Sequence, residues 1–218
     1  MKTKFLFLST LFLFCFSFSV KAQNDYYFCA SAGKYYLPLA SLNEQLKGMG
    51  TTSGFGNANG FGVDWGYKTI YNSSSSFSGD VTGILTYNYL MPQKISSAGD
   101  SVKFQLNGYN MQLDWASFQW FGNDNITFTG GLAWAFGRLK VTENSAKGTT
   151  TYLNKYIGPE FRLEFNVRLA DFFYVGLRYA YRDDITKTGW KKSGVDNPDL
   201  TGTRMSGTMI GAFIGFGN

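Results

Sequence analysis

The chain has no histidine, only 16% charged residues, 4 prolines and 2 cysteines in 218 positions. Without histidine there is no Ser-His or Cys-His nucleophile pair, no imidazole metal ligand and no imidazole proton shuttle. Charge is scarce against the roughly 25% of a typical soluble domain, and the basic residues do not cluster with interleaved aromatics. Lys191-Lys192 is a mere pair, offset by Asp183, Asp184, Asp196 and Asp199, so a nucleic-acid footprint is excluded. Past residue 22 no apolar run approaches the ~20 residues of a membrane helix. Gly54-Phe55-Gly56 and Gly60-Phe61-Gly62 lack the helix and lysine of a phosphate-binding loop. What abounds is aromatic side chain, at 18%, and glycine, at 26 residues. The aromatic load excludes disorder, and the glycines follow no Gly-X-Y period, which excludes a collagen-like repeat.

The first residues carry an export pattern. Lys2 and Lys4 precede an apolar run, Phe5 to Val20, of 16 residues, and Val20-Lys21-Ala22 then supplies small residues at the cleavage positions. Cleavage is expected after Ala22, dividing the chain into a signal peptide, 1–22, and one domain, 23–218. Loss of Lys2, Lys4 and Lys21 leaves 17 basic against 15 acidic residues, a net +2. Cys15 departs with the signal, and Cys29 alone forms no intramolecular disulfide.

The mature chain alternates with period two, the mark of strands with two unlike faces. Between Asn125 and Val141 one parity holds Ile126, Phe128, Leu132, Trp134 and Phe136, and the other Thr127, Thr129, Gly131, Ala133, Ala135 and Gly137. From Thr150 to Leu169, Leu153, Ile157, Phe161, Leu163, Phe165, Val167 and Leu169 oppose Asn154, Glu160, Arg162, Glu164, Asn166 and Arg168. Phe173 to Tyr181, Phe61 to Tyr67 and Val81 to Tyr89 repeat the pattern. A soluble sandwich also alternates, but a solvated face has no reason to prefer Gly and Ala. Small residues with a few charges suit the interior of a narrow closed barrel, and a membrane barrel turns its apolar face to lipid. The expected fold is therefore all-β: a transmembrane antiparallel up-and-down β-barrel of about eight strands.

The eight segments lie near 25–33, 58–69, 78–91, 101–115, 125–142, 150–168, 172–183 and 204–217. The connections at 34–57 and 184–203 are the longest and are expected outside the cell. In the fourth segment the apolar parity flips, from Val102, Phe104 and Leu106 to Tyr109, Met111, Leu113 and Trp115. Asn107-Gly108 at the flip predicts a glycine bulge, with a hairpin, and hence ten strands, as the alternative. Pro159 falls mid-strand and removes a ladder hydrogen bond. In the first loop Ser41-Leu42-Asn43-Glu44 reads as a helix capping box. Leu39, Leu42, Leu46 and Met49 follow as an apolar stripe that either covers the barrel mouth, rests among headgroups or packs the loop down.

With these segments in view, the chain resembles the small outer-membrane β-barrel proteins of Gram-negative bacteria, the eight-stranded OmpA/OmpX-like class, and especially those of the Bacteroidetes. The signal ending Val20-Lys21-Ala22-Gln23, the eight alternating segments and the Gly- and aromatic-rich last strand, Gly207 to Gly217, carry the resemblance. It implies a cell outer-membrane location, contact with outer-membrane lipid and passage through the barrel-assembly machinery. Such proteins commonly end in an aromatic, whereas Phe216 here is followed by Gly217 and Asn218.

Inward parities collect Asp64, Asp80, Asp114, Glu160 and Glu164 with Lys68, Arg162, Arg168, Arg178 and Arg182, five of each sign. Either they form a proton or ion relay or an acid–base pocket, or they pair with one another and fill the lumen. Balanced signs favour the mutual network. Asp100-Ser101-Val102 resembles the short acceptor used for protein O-glycosylation in Bacteroidetes, which marks Ser101 as a candidate. No catalytic, metal or cofactor-binding set stands out, and a mechanism on Glu160 and Glu164 alone is disfavoured. The expected role is a closed, non-enzymatic barrel, structural or recognising a surface partner through loops 34–57 and 184–203. A small-molecule conduit in the outer membrane and a secreted soluble barrel binding a small ligand are the alternatives.

Overall fold

The computed structural model describes residues 24–69, 78–122, 125–186, 190–192, 195–196 and 206–217, so the export segment lies outside the described residues. The elements are β1 (Asn24–Tyr36), α1 (Ala40–Gly48), β2 (Ala58–Thr69), β3 (Ser78–Ser96), a 3₁₀ turn (Ala98–Asp100), β4 (Val102–Gly122), β5 (Ile126–Ser145), β6 (Gly148–Ala170), β7 (Phe173–Arg182), β8 (Lys191–Lys192), β9 (Val195–Asp196) and β10 (Gly207–Gly217). Strands β1 to β7 pair antiparallel in sequence, β10 pairs with β7 and β1, and an eight-stranded up-and-down barrel closes. β8 and β9 form a short ribbon hung on β6 at Tyr152 and Leu153. The register runs once round the wall from Gly207 through Arg182, Glu160, Ala133, Asp114, Ile84, Gly66 and Tyr27 to Gly217, ten residues further along β10. That stagger over eight strands tilts them ~40° and leaves an interior only wide enough for side chains.

The strands are unequal. β1, β2, β7 and β10 have 13, 12, 10 and 11 residues, whereas β3, β4, β5 and β6 have 19, 21, 20 and 23. Asn24, Gly217 and the 171–172 turn lie at the base; 37–57, 97–101, 146–147 and 183–186 lie at the rim. Above Leu90 of β3 and Glu160 of β6 the long strands have lost their β2 and β7 partners and rise as a four-stranded blade. The rim connections at 97–101 and 146–147 are consequently tighter than the sequence segments imply.

Polarity inverts between barrel and blade. In the barrel the outward side chains are apolar on all eight strands, among them Phe28, Trp65, Tyr87, Trp115, Trp134, Phe165, Leu177 and Ile214. In the blade the inward side chains are mostly apolar instead: Ile95, Phe104, Leu106, Leu139, Val141 and Tyr152 are buried, with Asn154 a buried polar exception. This corrects the bulge expected at Asn107-Gly108. β4 runs through it unbroken, with Phe104, Leu106, Gly108, Asn110, Gln112 and Asp114 all buried on one parity. The strand keeps its facing while the polarity of its two sides reverses. The true bulge is opposite, on β3, where Met91 and Pro92 together face Asn107 between the pairs Leu90–Gly108 and Gln93–Leu106; a bulge also tolerates the proline. Pro159 sits where β7 gives out: Asp183 N donates to Pro159 O at 3.0 Å, so the missing N–H falls beside coil rather than in the β6–β7 ladder.

α1 closes the rim. Leu42 and Leu46 are 0% exposed and pack with Leu39, Tyr35, Phe104, Leu139, Tyr156, Trp190 and Met209 inside the blade and barrel mouth. Leu39, Leu42 and Leu46 share one helix face; Met49 is exposed. The capping-box reading is corrected: Leu39 is the N-cap and makes no side-chain cap bond, while Ser41 lies inside the helix and accepts from Gln45 Nε2 at 3.3 Å. The chain reverses at Gly50, whose φ of 92° favours glycine. Asn43 then ties down the return, bonding both Phe55 N (2.8 Å) and Phe55 O (2.9 Å). Asn43→Ala is expected to cost about 1–2 kcal/mol from two lost hydrogen bonds. The check is faster amide exchange and proteolysis confined to 49–57; unchanged exchange at Phe55 would refute the tether.

Candidate functional site

Strand alternation aims every second residue of β2, β4, β6 and β7 into the lumen, and neighbouring register stacks opposite charges. Glu160 faces Arg182 and Glu164 faces Arg178 across β6 and β7. The inward positions of β5 are Gly131, Ala133, Ala135, Gly137, which leave room for the long side chains of β6. A Cβ at Gly137 would run into the Tyr156 ring, which would have to move aside.

Arg162 is the hub. Its two terminal nitrogens bind both oxygens of Asp114 at 2.9 and 3.0 Å, and one also reaches Gln112 Oε1 at 2.7 Å. Glu164 and Glu160 lie 3.7 and 4.0 Å away. Gln112 passes the linkage on, donating to Glu160 Oε2 at 2.8 Å. Arg178 binds Glu164 through Nε at 2.7 Å and Asp64 through a terminal nitrogen, with its guanidinium over the Phe213 ring at 5.0 Å. Arg182 stacks on the Tyr156 ring at 4.4 Å, and Tyr156 donates to Asn110 Oδ1 at 3.1 Å. The charges lie directly behind the apolar belt, since Glu164 is flanked by Leu163 and Phe165, and Arg178 by Leu177 and Tyr179.

Of the ten charged residues expected here, Asp64, Asp114, Glu160, Arg162, Glu164, Arg178 and Arg182 are buried in this layer. Arg168 is exposed near the base and outside the network. The side chains of Lys68 and Asp80 fall outside the described residues. Gln112, Thr86, Asn88, Asn110 and Tyr156 belong to the layer and were missed. Their signal was available, for Asn110 and Gln112 share the parity of Asp114. Ser101 is exposed at the rim, its hydroxyl 3.1 Å from that of Ser97. Beside Arg162, Asp114 and Glu164 a cavity of about 20 Å³ has room for one water. The described residues hold no group of three His, Cys, Asp or Glu side chains placed for a metal ion. Arg162 stands between Glu160 and Glu164 on β6, so the two carboxylates do not face each other as an acid–base pair.

Solved structures of outer-membrane proteins align with the chain over most of its length. Ail of Yersinia pestis, crystallised with the heparin analogue sucrose octasulfate, aligns at 14% identity and a TM-score of 0.47 over 88% of this chain and 98% of Ail. A major outer-membrane protein of Thermus thermophilus aligns at 9% and 0.47 over 89% and 100%. The N-terminal barrel of Pseudomonas aeruginosa OprF aligns at 11% and 0.41 over 91% and 100%. No protein-family model and no curated protein sequence matches the chain. Each of these alignments stays below 15% identity and below a TM-score of 0.5.

Proposed function

We propose that this chain is an outer-membrane barrel with a sealed lumen, whose role is structural or surface-recognising rather than catalytic. One observation carries the reading: large apolar side chains are exposed on all eight barrel strands, up to 63% at Trp65 and Leu177, while the charges are inside. Exposed apolar area of this extent marks a membrane or partner surface, and a belt that encircles the whole wall fits lipid better than one partner. A soluble ligand-binding barrel has the opposite polarity. The ion-pair layer and the α1 plug together favour a closed lumen over a conduit. Export with cleavage after Ala22, assembly by the barrel machinery and glycosylation of exposed Ser101 belong to the same reading. Recognition falls to the rim, where the first long loop is folded into the plug and the blade projects furthest.

The test combines heat-modifiable electrophoresis after refolding into vesicles with planar-bilayer recording. Insertion without steady single-channel currents is expected. Steady currents would replace the sealed barrel by the conduit, and folded protein that stays in buffer without detergent would remove the membrane altogether.

A further inference from the structure

Three inward oxygens of the barrel are left over by the ion-pair layer, and they belong to adjacent strands. Ser31 of β1, Gly62 of β2 and Asn88 of β3 stand in one register row, with Gly62 in the middle. Gly62 brings no side chain, and its two neighbours lean over it. A Cβ there would run into Asn88 Oδ1 and come within 2.9 Å of Ser31 Oγ. Neither oxygen has a hydrogen-bond partner, although Asn88 is only 1% and Ser31 6% exposed. Two residues further along the same face of β2, Asp64 lies opposite Thr86 and is fully buried. Arg178 holds its Oδ2, while Oδ1 is buried and left over.

Buried acceptors that face no donor are costly, and these three share one remedy. A hydroxyl, an amide carbonyl and a carboxylate oxygen are the ligands that a hard cation takes. The charge of the layer points the same way. Among its described residues, the carboxylates of Asp64, Asp114, Glu160 and Glu164 face the guanidiniums of Arg162, Arg178 and Arg182, four against three. Lys68 and Asp80, on the same parity in the sequence, are one of each sign. One carboxylate among neutral oxygens suits a single positive charge, whereas calcium sites gather several carboxylates. We propose that Ser31 Oγ, Asn88 Oδ1 and Asp64 Oδ1 bind a monovalent hard cation of the sodium class over Gly62, inside the lumen. The ion supplies the positive charge that the layer lacks and lets the three oxygens be buried together. A bound water would satisfy the oxygens but not the charge. The site rests on an enclosed lumen and not on what surrounds the barrel outside.

The experiment follows equilibrium urea unfolding of wild type, Ser31→Ala, Asn88→Leu and Ser117→Ala, the last deleting a lumen hydroxyl beside the other cavity. Each is refolded into phosphatidylcholine vesicles over a series of sodium chloride concentrations, with choline chloride holding the ionic strength constant. Unfolding admits the ion, so a closed lumen does not hide the site. One ion bound by the folded state alone raises the folding equilibrium constant about tenfold for each tenfold rise in sodium above its Kd. Wild type and Ser117→Ala should show that dependence, and Ser31→Ala and Asn88→Leu should lose most of it. Should Asn88→Leu not fold, Ser31→Ala, which deletes one hydroxyl, decides the comparison. A wild type indifferent to the exchange of sodium for choline overturns the site and leaves a bound water in its place. An equal dependence in all four proteins also overturns it, since the ion then acts elsewhere. Protein that stays out of the vesicles sinks the membrane reading alone, because the same sodium dependence is then read in buffer and decides the site there.

Discussion

Arg162→Met is expected to destabilise the folded barrel by about 3–5 kcal/mol, the range for removing one partner from a buried charge network. Arg162 has a side chain only 5% exposed and gives Asp114 two hydrogen bonds of 2.9 and 3.0 Å. Methionine would fill the space but leave Asp114 without its bidentate partner, with Glu160 and Glu164 nearby. Neither other guanidinium can take over, because Arg178 is already engaged by Glu164 and Asp64, and Arg182 lies over Tyr156. The one-water cavity beside Asp114 is too small to rehydrate a carboxylate. Arg162→Met/Asp114→Leu removes the pair together and should recover most of the loss, since replacing a buried ion pair by apolar groups is often neutral. Urea unfolding from vesicles, run as a double-mutant cycle, reads both numbers. A loss below about 1 kcal/mol for the single variant would mean the lumen is wet enough to solvate the acids, and the sealed-barrel reading would fall with it.

The barrel half of this fold was legible because one rule governs it. From Ile126 to Phe136 and from Phe161 to Leu169 the outside is apolar and the inside small or charged, and parity alone gives facing. The blade was not legible by the same rule, because there it reverses. Leu139 and Val141 continue the inward parity of Ala133 and Ala135, yet they are apolar, and Arg138 and Lys140 continue the outward parity of Phe136, yet they are charged. An apolar-parity flip therefore has two physical causes, a bulge or a change of medium, and Asn-Gly at the flip in β4 made the first look natural. The partner strand held the discriminating signal, since Met91-Pro92 is where a proline forces an irregular pair. The helix was legible by its Leu39, Leu42 and Leu46 spacing, but not its start, because Ser41 suggested a cap that the burial of Leu39 and Leu42 overrides. In the lumen the charges announced themselves, whereas Gln112, which links Arg162 to Glu160, is neutral and stood out only by parity. Arg168 shares the parity of Arg162 but lies two residues before the strand ends, where inward parity no longer means enclosure.

Leu177→Arg tests the medium directly. Leu177 sits midway along the apolar outward face of β7, which runs from Phe173 to Tyr181, and is 63% exposed. Its neighbours in register are Phe165 and Ala212. At so exposed a site little packing is lost, and in water a surface substitution of this kind stays within about 0.5 kcal/mol. Against lipid the same change puts a guanidinium near the bilayer midplane, where the cost is about 2–4 kcal/mol. Depth, not residue type, should set the penalty. Thr142→Arg places the same side chain on the outward face of β5 in the blade, between Gln105 and Thr151, and is expected to change stability by less than about 1 kcal/mol. Unfolding from vesicles, with the heat-modifiable fraction at each urea concentration as readout, separates the two. Matching effects at Leu177 and Thr142 would place both faces in the same solvent, and the apolar belt would then need a protein partner rather than a membrane.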